Sequence, residues 1–168
     1  GQYSLRIFFA SAGDTTLIIN APDGRWYCDD DSGGNLNPLI QFSSPASGQY
    51  DIWVGSYGSS NLVSGTLTIT ETNITPGASS NVVAPPANTG TLDYSAAPTY
   101  GQVALTAGFT PDPYQVSMSA GGPVDAAVAL GAPCAGYVAA NPDYRLSYSA
   151  GQYSLRIFFA SAGDTTLI

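Results

Sequence analysis

The chain has 168 residues, among them four Arg, no Lys, no His, eleven Asp and one Glu, Glu71, giving a formal net charge of −8. That inventory excludes His-dependent nucleophiles and imidazole-held zinc, lysine Schiff bases and lysine phosphate loops, and the basic face that nucleic acid requires. Charged residues make up 10% of the chain, against roughly 25% in an average globular protein. With 44% hydrophobic residues in short alternating runs, the chain is expected to fold, as a secreted, all-β, non-catalytic protein.

Taken in order, Leu5, Ile7 and Phe9 alternate with Ser4, Arg6 and Phe8, and a second run covers Thr15–Asn20. Pro22-Asp23-Gly24, Ser32-Gly33-Gly34 and Ser47-Gly48 have turn chemistry. A closing strand is expected over 65–70, where Leu67 and Ile69 alternate with threonines. Residues 72–102 are rich in Pro, Ser and Thr and read as an extended linker of roughly thirty residues, long for a loop inside a domain. Beyond it, Val103, Leu105, Ala107 and Phe109 share one parity, then Tyr114, Val116 and Met118, then Tyr144, Leu146 and Tyr148. Pro111-Asp112-Pro113, Gly121-Gly122-Pro123 and Asn141-Pro142-Asp143 mark the turns between them, and 124–130 is the one helix-tolerant stretch. Period two with one apolar side describes half-buried strands, and this spacing predicts a β-sandwich, a jelly roll among the candidates. No stretch is long and apolar enough to insert in a membrane as a helix.

Residues 151–168 repeat residues 1–18 at every position, an offset of 150. Three explanations compete: a slice of a polypeptide repeating every 150 residues, a short protein with a duplicated end, and an artificial duplication. The first is preferred, because the chain opens on Gly1 and closes at Ile168, the counterpart of Ile18 within a strand-like run. On that reading 1–71 is the C-terminal part of one module, 72–102 the linker between modules and 103–168 the N-terminal part of the next. The alternative is a permuted domain in which 103–150 folds back onto 1–71 of its own chain. The expected neighbours are copies of the same unit along a filament, with strands such as 80–84 or 91–95 completing a neighbour's sheet.

The strand around Leu5–Phe9, then Gly13-Asp14-Thr15-Thr16-Leu17, Ala21-Pro22-Asp23-Gly24, and Pro45-Ala46-Ser47-Gly48-Gln49-Tyr50-Asp51-Ile52-Trp53-Val54-Gly55 resemble the bacterial pre-peptidase C-terminal (PPC) domain. The resemblance covers less than half the chain. It implies a small secreted β-sandwich, usually an accessory module, sometimes with calcium and sometimes binding extracellular polymers.

Asp29-Asp30-Asp31-Ser32-Gly33-Gly34-Asn35-Leu36-Asn37 packs three carboxylates and two amides into one glycine-containing turn. Hard cations take oxygen ligands from such loops, so a structural Ca²⁺ is expected, held by Asp29, Asp30, Asp31, Asn35 and Asn37 with Asp23 and Asp51 as outside contributors. The spacing is not that of an EF-hand, and the bland alternative is a solvated acidic turn paired with Arg25. Cys28 and Cys134 suggest a disulfide. In the module reading the bond joins Cys134 to the Cys28 of the next period; in the permuted reading it lies within one chain. Trp26, Tyr27, Trp53 and Tyr57 are more readily core packing than a carbohydrate platform. Asn73-Ile74-Thr75 is a glycosylation sequon at the start of the linker. Taken together, these features predict a structural subunit of an extracellular, pilus-like fibre. The runner-up is a secreted carbohydrate- or polymer-binding, adhesin-like module, with an enzyme a distant third.

Overall fold

A computed structural model describes residues 4–74 and 91–151. The fold is an all-β sandwich of two sheets packed face to face. The first sheet has the order β4 (Leu39–Phe42), β1 (Leu5–Ser11), β6 (Val63–Thr70), β8 (Tyr114–Ala120), all antiparallel. The second is built on β5 (Gly48–Ser56). One edge of β5 carries β2 (Thr15–Asn20), itself paired with β3 (Trp26–Asp29). Its other edge carries β11 (Tyr144–Ser149) and, beyond, the short β10 (Tyr137–Val138), which pairs β9 (Val124–Asp125). A parallel pairing of β11 with β7 (Gln102–Thr106) completes the sheet.

Local sequence explains much of this. Alternation places Leu67, Ile69, Met118, Leu146 and Tyr148 inward, where all are buried in the main core, while Ser117 and Ser147 stay exposed. The β2–β3 turn closes by the Gly24 N–H donating to the Ala21 carbonyl at 2.9 Å. Pro22 presets the first central dihedral, and Gly24 takes φ 75°, which glycine adopts without a Cβ penalty. The helix-tolerant stretch yields α1 (Ala126–Leu130), capped by the Asp125 carboxylate on the Ala127 and Val128 N–H groups.

Several strands depart from expectation, Tyr50–Ser56 of β5 and Leu67–Thr70 of β6 being buried at every position. β1 and β2 are not half-buried: every residue of β1 and the first five of β2 are buried. β1 lies between β4 and β6, and on its outer face the Arg6 guanidinium donates to Asn73 Oδ1 and the Ile74 carbonyl. Over β2 and β5, a second apolar cluster joins Ile18 and Trp53 to Val124, Ala126, Cys134 and Val138, with Leu92 packed against it. Leu92 and the 124–140 segment therefore cover the outside of the second sheet. Each fully buried Leu, Ile or Phe in β1 and β2 contributes roughly 1.5–3 kcal/mol.

Residues 103–150 fold back onto 1–71 of the same chain. Strand β8 pairs β6, and β11 pairs β5, within this chain. The described end of the expected linker is not a free spacer either. Asp93 N–H donates to Ala140 O, Thr99 N–H to Pro142 O and Tyr100 N–H to Asp143 O, while Arg145 Nη2 donates to the carbonyls of Tyr94 and Ala96. The proposed donor 91–95 is thus anchored by loop contacts rather than paired in a sheet. The donor 80–84, Thr75 of the sequon and the repeat beyond Gly151 lie outside the described residues.

Candidate functional site

The acidic loop leaves β3 at Asp29 and enters β4 at Leu39. Asp29 is turned back into the fold, accepting from the Ser32 N–H at 3.0 Å, the Ser32 hydroxyl and the Leu39 N–H. Burial raises its pKa against these donors. Asn35 and Leu36 take positive φ, 62° and 64°, reversing the chain so that the Gly33 N–H donates to the Asn37 carbonyl at 2.9 Å. Asn37 is wholly buried, and its Oδ1 accepts from the Ser11 N–H at 3.4 Å. Two of the expected ligands, Asp29 and Asn37, are therefore spent on shaping the loop.

The remaining candidates separate. Asp23 sits at the β2–β3 turn, with its Oδ2 accepting from the Tyr27 hydroxyl at 2.9 Å and its Oδ1 from the Arg25 N–H at 3.0 Å. A slight burial penalty is outweighed by these donors and the Arg25 charge, so its pKa lies below the usual range. Asp51 is buried on β5 and pairs with Arg145 Nε at 2.5 Å, while Gln49 donates to its other oxygen at 2.7 Å. The charges of Asp30 and Asp31 instead act on Asp14, a residue outside the expected ligand set. Partial burial first, then the Asp31 and Asp30 charges, push Asp14 up to about 6. Among the described residues no three carboxylates or thiolates converge as a metal-holding group. Calcium at this loop thus stands as an expectation of the sequence, to be settled by titration.

The disulfide joins Cys28 of β3 to Cys134 after α1, with Cα atoms 5.0 Å apart and a sequence separation of 106. It staples the 124–140 cover to the sheet beside Trp26 and Trp53, whose ring centroids lie 5.2 Å apart. Trp53 is fully buried, in line with packing rather than a sugar platform; Tyr57 is exposed. Just past the C-terminal end of β2, a small pocket of about 80 Å³ lies between Ala21, Pro22, Asp23, Tyr27, Phe42 and Tyr50. Phe42 meets Tyr27 and Tyr50 edge-on, at 4.9 and 5.3 Å between centroids, so the pocket has aromatic walls and one carboxylate at its rim. Asn73 is exposed, as a sequon asparagine must be.

Asp143, read from sequence as a turn residue, is a buried acid. Its Oδ2 accepts from the Val54 N–H at 2.8 Å and its own N–H donates to Ile52 O. Burial raises its pKa to about 8, with the Val54 N–H opposing. At neutral pH it is a mostly protonated structural clasp between β5 and β11. An Asp-Tyr pair beginning an alternating run was the available signal, but only the pairing of β11 with β5 buries it.

No protein-family model, curated protein or solved structure matches this chain.

Proposed function

We propose that this chain is a structural, non-catalytic unit of an extracellular, pilus-like filament built from tandem β-sandwich modules. One observation carries the reading: the duplicated residues 1–18 contain all of β1 and the start of β2, both interior strands of the sandwich. A second copy of such strands 150 residues later is a natural start of another sandwich. The long-range disulfide and the sparse charge suit a unit exposed to an oxidising exterior. Asn73 is the proposed glycan attachment point, and the kinship with PPC domains belongs to the same proposal. Electron microscopy of the secreted full-length protein tests it: long filaments with a regular axial repeat are expected, and uniformly dispersed particles would refute it.

The pocket under Tyr27, Phe42 and Tyr50 favours a second reading, a binding module for a polar ligand with an apolar face such as a sugar. Asp23 would accept from a hydroxyl and the rings would pack its carbons. Glycan-array binding lost in Tyr27→Ala would support that module instead.

A further inference from the structure

The described fold has one place for β1, and the chain carries its sequence twice. Leu5–Ser11 recurs residue for residue as 155–161. The place is an interior slot: β4 pairs along one edge of β1 through Leu5 to Phe8, and β6 along the other from Arg6 to Ser11. Both edges being used, a second β1 cannot add alongside; it can only replace the first. The slot is also keyed to this sequence. A Cβ on Gly65 would stand 2.4 Å from the Phe9 ring and 2.3 Å from the Ala10 carbonyl, so the bare glycine admits that ring and that backbone together. Phe159 and Ala160 offer the same groups at the same spacing.

The end of β11 lies at the mouth of this slot. Tyr148 is the register partner of Gly48, at the beginning of β5, and the Ala150 N–H donates to Ser47 Oγ at 2.9 Å. Across the sandwich, the Tyr148 hydroxyl donates to Glu71, next to Thr70, the register partner of Arg6. Strand β1 therefore begins at the end of the sandwich where β11 finishes. Five peptide steps separate Ala150 from Leu155, a reach of roughly 17 Å when extended, and packed sheets lie about 10 Å apart.

We propose that the β4–β6 slot accepts residues 155–161 of the same chain in place of Leu5–Ser11. The two arrangements bury identical side chains in identical surroundings and differ only in chain connection, the condition under which strand exchange is cheap. The exchange turns about 12–14, releasing the first β1 while β2 stays paired between β3 and β5. The short tether makes the chain's own second copy the first to meet the slot. The inference rests on the duplication and the slot, and holds whether or not the protein forms filaments.

Two measurements on the full chain test it. In the first, a carboxylate is placed at the buried phenylalanine of either copy. Phe159→Asp is expected to leave the melting temperature unshifted. Phe9→Asp is expected to retain a cooperative melt and a buried Trp53 fluorescence signal, because the second copy takes the slot. The double variant F9D/F159D is expected to lose the transition. A Phe9→Asp chain as unfolded as the double variant would overturn the proposal. In the second, A160C is combined with T66C, because Thr66 is the register partner of Ala10. Mild oxidation at low micromolar concentration is expected to give a 66–160 disulfide in monomers, mapped by mass spectrometry and abolished by F159D. A 66–160 bond found only in dimers, or none, would overturn the own-chain exchange. Filaments seen without the bond would leave the fibre reading standing and remove this one.

Discussion

The buried Asp143 offers the sharpest test of the energetics. Its carboxyl moves from an ordinary 3.8 to about 8 on folding, chiefly through burial, opposed by one hydrogen bond from the Val54 N–H. The folded state thus keeps a proton that the unfolded chain gives up above about pH 4. The stability tied to this group is complete below the unfolded value and is lost as pH rises toward the folded one, at about 1.4 kcal/mol per pH step. By pH 7 the loss is about 4 kcal/mol. Asp143→Asn removes the titration and keeps an oxygen for the Val54 N–H, but buries an amide NH₂ at a cost of about 1–3 kcal/mol. The variant is therefore expected to be less stable than the native chain at pH 4 and more stable at pH 7, the curves crossing at about pH 5–6. Urea unfolding followed by Trp53 fluorescence at half-unit pH steps measures both curves. A constant gap between them from pH 4 to 8 would show that Asp143 is charged in the fold, and the reasoning would fail.

Other predictions follow from the same contacts. Replacing Cys28 and Cys134 by serine opens a link across 106 residues and is expected to cost about 4–5 kcal/mol in denaturant unfolding; a loss under 1 kcal/mol would mean the 124–140 cover holds without it. Gly65→Ala drives a Cβ into the Ala10 carbonyl and Phe9 ring and is expected to lower stability by about 2 kcal/mol or more, read from the thermal midpoint. In Asp31→Asn the carboxyl of Asp14 should titrate below its native value of about 6, since one repelling charge is gone; carbon-detected NMR titration reports it, and an unmoved Asp14 would mean that burial alone sets it. Millimolar calcium is expected to raise the melting temperature of the native chain and not of Asp31→Asn; equal midpoints with calcium and with chelator would remove the ion from the account.

How far the site was legible follows from the range of the interactions. The Asp29–Asn37 loop advertised itself as a concentration of charge, but composition does not say which carboxylates a backbone will claim. Asp29 was claimed by Ser32 and Leu39, and Asn37 by Ser11. Asp14, on another strand junction, supplied the charge that Asp30 and Asp31 meet.

What the sequence determined by itself is the set of short-range features. Alternation selected the inward faces of β6, β8 and β11, because side chains on a strand alternate with period two. Pro22-Asp23-Gly24 closed its turn for reasons internal to four residues. Tertiary structure alone decided that β1 and β2 are buried on both faces, that Trp53 belongs to a second cluster, and that Cys134 meets the Cys28 of its own chain. It also made Asp143 a neutral clasp rather than a turn carboxylate. Apart from the outer face of β1, which meets Asn73 and Ile74, each depends on residues 91–149 returning onto strands from residues 5–70, and no local propensity encodes which distant segment will cover a face. The burial that the returning segment provides is what turns an apparently half-exposed strand into core.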